Sequence, residues 1–150
     1  MKWTAIFRSG THGDQRGRKT TWTNRDLDKI VQEYNQRKEQ KAPLAVGPTT
    51  SEIPIHGYVK QLRRSDDTLE ATFDQVSHIL KEASAGGRLM YKSVGLNADG
   101  TLRHVRLDVI PPIDTETGRA AIKIKDEDFG SEYSRSANEE PNFYGLTKHI

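Results

Sequence analysis

The sequence predicts an α+β fold: a small, mostly antiparallel β-sheet or barrel flanked by two or three helices, with an extended C-terminal arm. Three observations support this prediction. Short segments of alternating apolar and polar residues are separated by turn residues, as in antiparallel strands. Two stretches carry apolar residues at helical spacing. The last part of the 150-residue chain is polar and alone should not fold. A chain of this length fits one domain with a buried core.

The first elements are two strands and a helix. Trp3 to Arg8 alternates enough for a strand, and Thr20 to Trp22 predicts a second strand after a polar, glycine-containing loop. The next helix has Thr23 as its N-cap and Asp26 three residues later, close to a capping box. Its apolar residues fall at i, i+3, i+4 and i+7, and so form one packing face. They are Leu27, Ile30, Val31 and Tyr34.

The middle of the chain predicts a short strand, a hairpin and a second helix. Pro43 to Val46 is a short apolar strand. Ile53 to Leu62 is a longer strand interrupted by Gly57, where a bulge or a close backbone approach is expected. Turn residues at 65–67 join this strand to Leu69 to Phe73 in a hairpin. Gln75 to Ala85 then predicts a helix that glycines at positions 86 and 87 end.

A second hairpin and a polar arm complete the predicted fold. Leu89 to Leu96 and Leu102 to Ile110 are strands joined by a loop that ends in Gly100. Ala120 to Ile124 predicts a last strand. We place the folded α+β domain at residues 1–112 and the arm at residues 113–150. The arm carries Phe143 and Tyr144, which we expect to dock into pockets of a partner protein.

Composition narrows the function classes. Lys plus Arg is 23 and Asp plus Glu is 21, a net charge of +2, which is too balanced to argue for nucleic acid. The chain has no cysteine, which excludes disulfides, thiolate catalysis and cysteine-ligated zinc. Neither two histidines nor two carboxylates fall three or four residues apart within a predicted helix, the spacing of helical metal ligands. No apolar run approaches the roughly 20 residues of a membrane span. We therefore expect no metal, no cofactor and no membrane.

Five sequence blocks between positions 42 and 112 carry the functional prediction. In order they are Ala-Pro-Leu-Ala-Val-Gly (42–47), His-Gly-Tyr-Val-Lys (56–60), Tyr-Lys-Ser-Val-Gly-Leu (91–96), Leu-Arg-His-Val (102–105) and Pro-Pro (111–112). This order resembles the Mu-like phage I protein family, the prohead serine proteases of head maturation, which are similar to herpesvirus assemblins. The resemblance covers roughly residues 3–112, and its specificity lies in the ordered set of blocks.

The resemblance implies a serine protease site. Such a site needs a nucleophile, an imidazole base, a group that orients the base and donors for the oxyanion. By resemblance Ser93 matches the nucleophile and His104 the orienting member. Where the family has a histidine after the glycine of the first block, this chain has Pro48, whose side chain accepts no proton. His56 is the nearest alternative base, although eight residues of extended chain span roughly 26 Å.

The same residues also have structural interpretations. A serine between apolar residues in a strand is most often an ordinary sheet residue, and a strand histidine most often bonds a backbone carbonyl or is solvated. Basic residues in two groups are more typical of a salt-bridged or solvated face than of a nucleic-acid site. They are Arg16, Arg18, Lys19, Lys60, Arg63 and Arg64.

Three functions remain open from the sequence. The preferred one is a phage head protein with a degenerate protease fold, bound in many copies to the major capsid protein as a decoration, cement or minor capsid subunit. It rests on Pro48 and on the lack of a helical scaffolding extension, and it implies assembly in the host cytoplasm and a place in the virion. The alternative is an active prohead endopeptidase that cleaves scaffold and capsid proteins through Ser93, His56 and His104. The third is a small adaptor or inhibitor of the true protease.

Overall fold

A computed structural model of the chain describes residues 2–13, 18–47, 55–85, 91–108, 122–125 and 128–129. The fold is α+β, as the sequence predicts, with two helices and mostly antiparallel strands in three sheets within these residues. In chain order the elements are β1 (Thr4–Arg8), β2 (Gly10–Gly13), β3 (Lys19–Trp22), α1 (Asn24–Asn35), β4 (Leu44–Val46), β5 (Tyr58–Ser65), β6 (Thr68–Asp74), α2 (His78–Ala85), β7 (Tyr91–Leu96), β8 (Leu102–Asp108) and β9 (Ile122–Lys123).

Two of the three sheets enclose the core. The first has the strand order β1-β6-β5 and the second β4-β8-β7-β9. They are joined where the Leu44 N–H donates to the Gly57 carbonyl and the His56 N–H donates to the Leu44 carbonyl, both at 2.8 Å. On the opposite side β1 contacts β7 and β9. The two sheets together therefore form a barrel-like wall around one apolar core. Its most deeply buried side chains include Ile6, Leu27, Leu44, Val59, Leu62, Leu69, Leu80, Leu102, Val105 and Leu107.

Helix α1 begins as the sequence predicts. The Thr23 hydroxyl accepts from the Asp26 N–H at 3.1 Å, and the Thr23 N–H donates to the Asp26 carboxylate at 2.8 Å. This capping box satisfies two backbone donors that a helix start otherwise leaves open. Leu27, Ile30 and Tyr34 form the buried face. The predicted N-cap and packing stripe of this helix are confirmed.

Tyr34 fixes α1 to the junction of the two sheets. Its hydroxyl donates to the Val59 carbonyl at 2.6 Å and accepts from the Ala42 N–H at 2.8 Å. Both backbone groups lie where the chain passes from one sheet to the other. The buried Tyr34 hydroxyl thus provides the hydrogen bonds that a neighbouring strand would otherwise provide to these two backbone groups.

The two predicted hairpins are confirmed. β5 pairs with β6 across the turn at positions 66–67, and β7 pairs with β8. The Gly100 N–H donates to the Asn97 carbonyl at 2.9 Å in the second turn. Gly57, predicted as a point of close backbone approach, has its α-carbon against β6: an added Cβ would lie 3.2 Å from the Asp74 carbonyl oxygen.

Three predicted boundaries were wrong. The segment Gly10–Gly13, expected as a loop, forms β2 in a hairpin with β3. The second helix begins at His78, not at Gln75, because Gln75 has a φ of +55°, which a right-handed helix does not allow. The strand expected from Ile53 to Leu62 starts in positions that lie outside the described residues; residues 55–57 are not in a strand, and β5 begins at Tyr58 and runs to Ser65.

The predicted domain boundary at residue 112 also needs correction. Residues Ile122–Lys123 of the expected arm form β9, which pairs with β7. Asp128 and Phe129 are buried, so the folded body includes these residues as well. The rest of the predicted arm lies outside the described residues, as do Pro111, Pro112 and the glycines at 86 and 87. Within the described residues, the longest helix is too short and too polar to cross a membrane.

Candidate functional site

The β7–β8 ladder places Ser93 and His104 on the same face. Ser93 is directly opposite Arg106, and Gly95 is directly opposite His104. Opposed residues of a ladder share a face, and alternate residues along each strand share it too. Ser93 and His104 are therefore diagonal neighbours, a separation of roughly 7 to 8 Å between backbones that a long side chain can bridge.

Gly95 gives the His104 ring its position. A Cβ built on Gly95 would lie 2.2 Å from Cε1 and 2.4 Å from Nε2 of His104. The imidazole therefore lies directly over the glycine, in space that any other residue would occupy. This glycine is the reason the ring can lie across β7, beside the strand position of Ser93.

Burial and charge weaken the basicity of His104. Its side chain is almost fully buried, and Ser93 is only 1% exposed. Burial, followed by the positive charges of Arg103 and Arg106, lowers the pKa of His104 to about 4. The ring is therefore neutral near pH 7. Within the described residues, the Ser93 hydroxyl and the His104 ring are not hydrogen-bonded to each other.

Arg106 brings a cation opposite Ser93. Its Nε donates to the Asp108 carboxylate at 3.1 Å, and both side chains are mostly buried. Asp108 is two residues further along β8, on the same face as His104. The structure therefore shows this carboxylate bound to a guanidinium, whereas a catalytic triad would have it bound to the histidine.

The structure does not bring His56 to Ser93. His56 pairs with β4 on the side away from β8, so three strand spacings, roughly 14 Å, separate it from β7. Its Nδ1 lies 2.9 Å from the Ser77 hydroxyl, which also accepts from the Leu80 N–H at 3.1 Å. His56 is thus part of the N-terminal cap of α2.

Position 48, where the family resemblance expects a base, lies just outside the described residues. The preceding Gly47 has a φ of +71° and donates its N–H to the Leu107 carbonyl at 2.9 Å. β4 therefore ends beside the last residues of β8. The predicted partner-binding residues Phe143 and Tyr144 also lie outside the described residues.

Two residues of this face were not predicted. The sequence blocks do not indicate that Gly95 leaves space for the His104 ring, or that Arg106 lies opposite Ser93. Both follow from strand alternation, since 93 and 95 on one strand and 104 and 106 on the other fall on one face. The sequence could not show that the His104 ring lies over Gly95, because that depends on the pairing register.

These observations define an α+β barrel-like protein with a buried serine–histidine face on its second sheet. Among the described residues, no three histidine or carboxylate side chains group as metal ligands would. Comparison of the chain with protein-family models, curated proteins and solved structures finds no match.

Proposed function

We propose that this chain is a phage head protein with a degenerate head-maturation protease fold. In this proposal it binds the major capsid protein as a decoration, cement or minor capsid subunit of the virion. The resemblance of the ordered sequence blocks supports the relation to the prohead proteases. Pro48 stands where the resemblance expects the base, and among the described residues His104 is the imidazole that the strand register places beside Ser93. Its low basicity, which prevents it from replacing the missing base, is the observation that carries the loss of catalysis.

A serine protease uses its imidazole to take the proton of the nucleophile, and the best base has a pKa near the working pH. The pKa of His104 is about 4, whereas that of an ordinary histidine is about 6.5. That difference corresponds to about 3 kcal/mol of lost driving force for the proton transfer. The two arginines that lower its pKa also oppose the imidazolium that the reaction forms.

The burial of Ser93 supports the same conclusion. A substrate carbonyl must come within roughly 3 to 3.5 Å of an attacking hydroxyl. Ser93 is 1% exposed, so a peptide could reach it only if the covering residues moved. We therefore expect the binding function to use the outer surfaces and the C-terminal residues of the chain.

A fluorophosphonate probe tests the loss of catalysis, because it labels only activated serines. We expect no labelling of the wild-type protein at neutral pH. Ser93→Ala is the specific variant, and Ser77→Ala is a matched control that removes another serine next to a histidine. Labelling that disappears in Ser93→Ala and persists in Ser77→Ala would show an activated nucleophile and overturn this part of the proposal.

Co-sedimentation with shells assembled from the major capsid protein tests the binding role. We expect the chain to sediment with the shells, and Ser93→Ala to bind equally well because the hydroxyl makes no contact with the shell. Replacing both Phe143 and Tyr144 with alanine should weaken binding at least tenfold if they are buried anchors. Purified heads that lack stoichiometric copies of the chain would contradict the proposal.

An active prohead endopeptidase is the second candidate. The observation that favours it is that Ser93 and His104 lie on the same face of the sheet. Gly95, which has no side chain, leaves space for the His104 ring beside Ser93. In this case the protein would cleave scaffold and capsid proteins, and Ser93→Ala would abolish the cleavage. Incubation of the wild type and this variant with the procapsid proteins, followed by gel analysis, separates the two candidates.

A further inference from the structure

The described residues of the C-terminal region form a strap, defined here as residues 122–125 and 128–129. Its strand β9 pairs with Tyr91 and Lys92 of β7. The Thr4 hydroxyl of β1 donates to the Asp128 carbonyl at 3.3 Å. Phe129 packs against Phe73 of β6, with ring centroids 5.2 Å apart. The strap therefore contacts three strands and lies across the side of the barrel where the two sheets are not paired directly.

A buried ion pair holds the strap to the serine strand. Lys92 and Asp128 are 1% and 7% exposed, and the ammonium donates to the carboxylate. The same carboxylate oxygen accepts from the Lys125 N–H at 2.9 Å. Lys92 directly precedes Ser93 in β7, so alternation directs its side chain to the opposite, core-facing side of the sheet.

Removing Asp128 would leave a charge in the core. Burial lowers the pKa of Lys92, and the hydrogen bond and charge of Asp128 oppose that effect. A buried ammonium without its carboxylate is strongly unfavourable, so Lys92 would be drawn toward water when the strap detaches. Because Lys92 and Ser93 are consecutive, such a displacement changes the strand that carries the serine.

We propose that the strap is a detachable closing element, and that its docking holds β7, and with it Ser93, in the sheet. Attachment through Asp128 and Phe129 couples the strap to the strand that carries the serine. Detachment of the strap would loosen β7. The strap holds β7 in this way whether or not Ser93 is catalytic.

Hydrogen exchange on the full-length protein tests this coupling. The variant Asp128→Ala should raise exchange about a hundredfold or more in peptides covering 122–129 and 91–96. Peptides of α1 (24–35) should keep their wild-type protection. Phe129→Ala, which leaves the ion pair intact, should give the same pattern with a smaller change. Lys123→Ala, an exposed residue of the same strap, is the matched control and should change nothing.

The double variant Lys92→Met/Asp128→Leu separates the contribution of the ion pair to strap docking from the contribution of packing. Replacing a buried pair with apolar side chains of similar size is often tolerated, so it should restore the protection that Asp128→Ala loses. The proposal is overturned if the strap peptide is exposed while the 91–96 peptide stays protected, or if α1 exchanges equally fast in both single variants. Unchanged exchange in Asp128→Ala would also overturn it.

Discussion

Lowering the pH should destabilise the folded protein through His104. Burial and two arginines lower the pKa of His104 from 6.5 to about 4 in the folded chain. As the pH falls, the unfolded state therefore binds the proton first. The contribution of His104 to the free energy of unfolding is fully present above pH 6.5 and is lost between pH 6.5 and about pH 4. At 1.36 kcal/mol per unit the whole shift corresponds to about 3 kcal/mol. Between about pH 7 and about pH 5, linkage predicts a loss of about 2 kcal/mol from this residue.

Urea denaturation followed by tryptophan fluorescence measures this loss across the pH range. The control is His104→Gln, which has no titrating ring; its stability should fall by about 2 kcal/mol less than that of the wild type between the same two pH values. An NMR titration of the His104 ring protons gives the pKa directly. A ring that titrates near 6.5, or a pH dependence that is the same in both proteins, would refute the reasoning.

Three further predictions concern single contacts. Gly95→Ala places a methyl group against the His104 ring and should cost about 1–3 kcal/mol; equilibrium denaturation measures this, and Gly95→Ala/His104→Ala should recover most of the loss. Thr23→Ala removes the capping box with Asp26 and should cost about 1 kcal/mol, whereas equal stability of variant and wild type would show that the cap is not used. Tyr34→Phe removes two hydrogen bonds to buried backbone groups and should cost about 2 kcal/mol; a thermal midpoint equal to that of the wild type would contradict this value.

The elements predicted correctly are those specified by neighbouring residues. The cap of α1 and its apolar stripe lie within one short segment, and its N-cap is confirmed by two hydrogen bonds. The hairpins β5–β6 and β7–β8 are specified by alternation on both sides of a turn. In each case local propensity and the final packing agree, so no distant contact was needed for the prediction.

The elements that the sequence did not predict depend on distant contacts. Strand β2 has glycines at both ends, a pattern typical of a loop, yet its pairing with β3 and the packing of Phe7 on Trp22 stabilise a hairpin. Strand alternation directs Lys92 to the core, and its ammonium is tolerated there because it is bound by Asp128, which lies 36 positions later in the chain. Such pairs cannot be found from periodicity, since a charged residue within a strand is normally assigned to the solvent face.

On the serine–histidine face, the positions of Ser93 and His104 and their chemical reactivity have different physical causes. Two adjacent antiparallel strands bring residues 93 and 104 onto one face through register alone, and a glycine opposite the histidine provides space for the ring. Catalysis needs in addition a base of suitable strength and a group that favours the imidazolium. Here the neighbouring charges are Arg103 and Arg106, and Asp108 is bound to Arg106. Replacing Arg106 with methionine should therefore raise the pKa of His104, since one of the two cations is removed. If NMR titration shows no rise in that variant, Arg106 does not contribute to the low basicity of the ring, and burial and Arg103 set it.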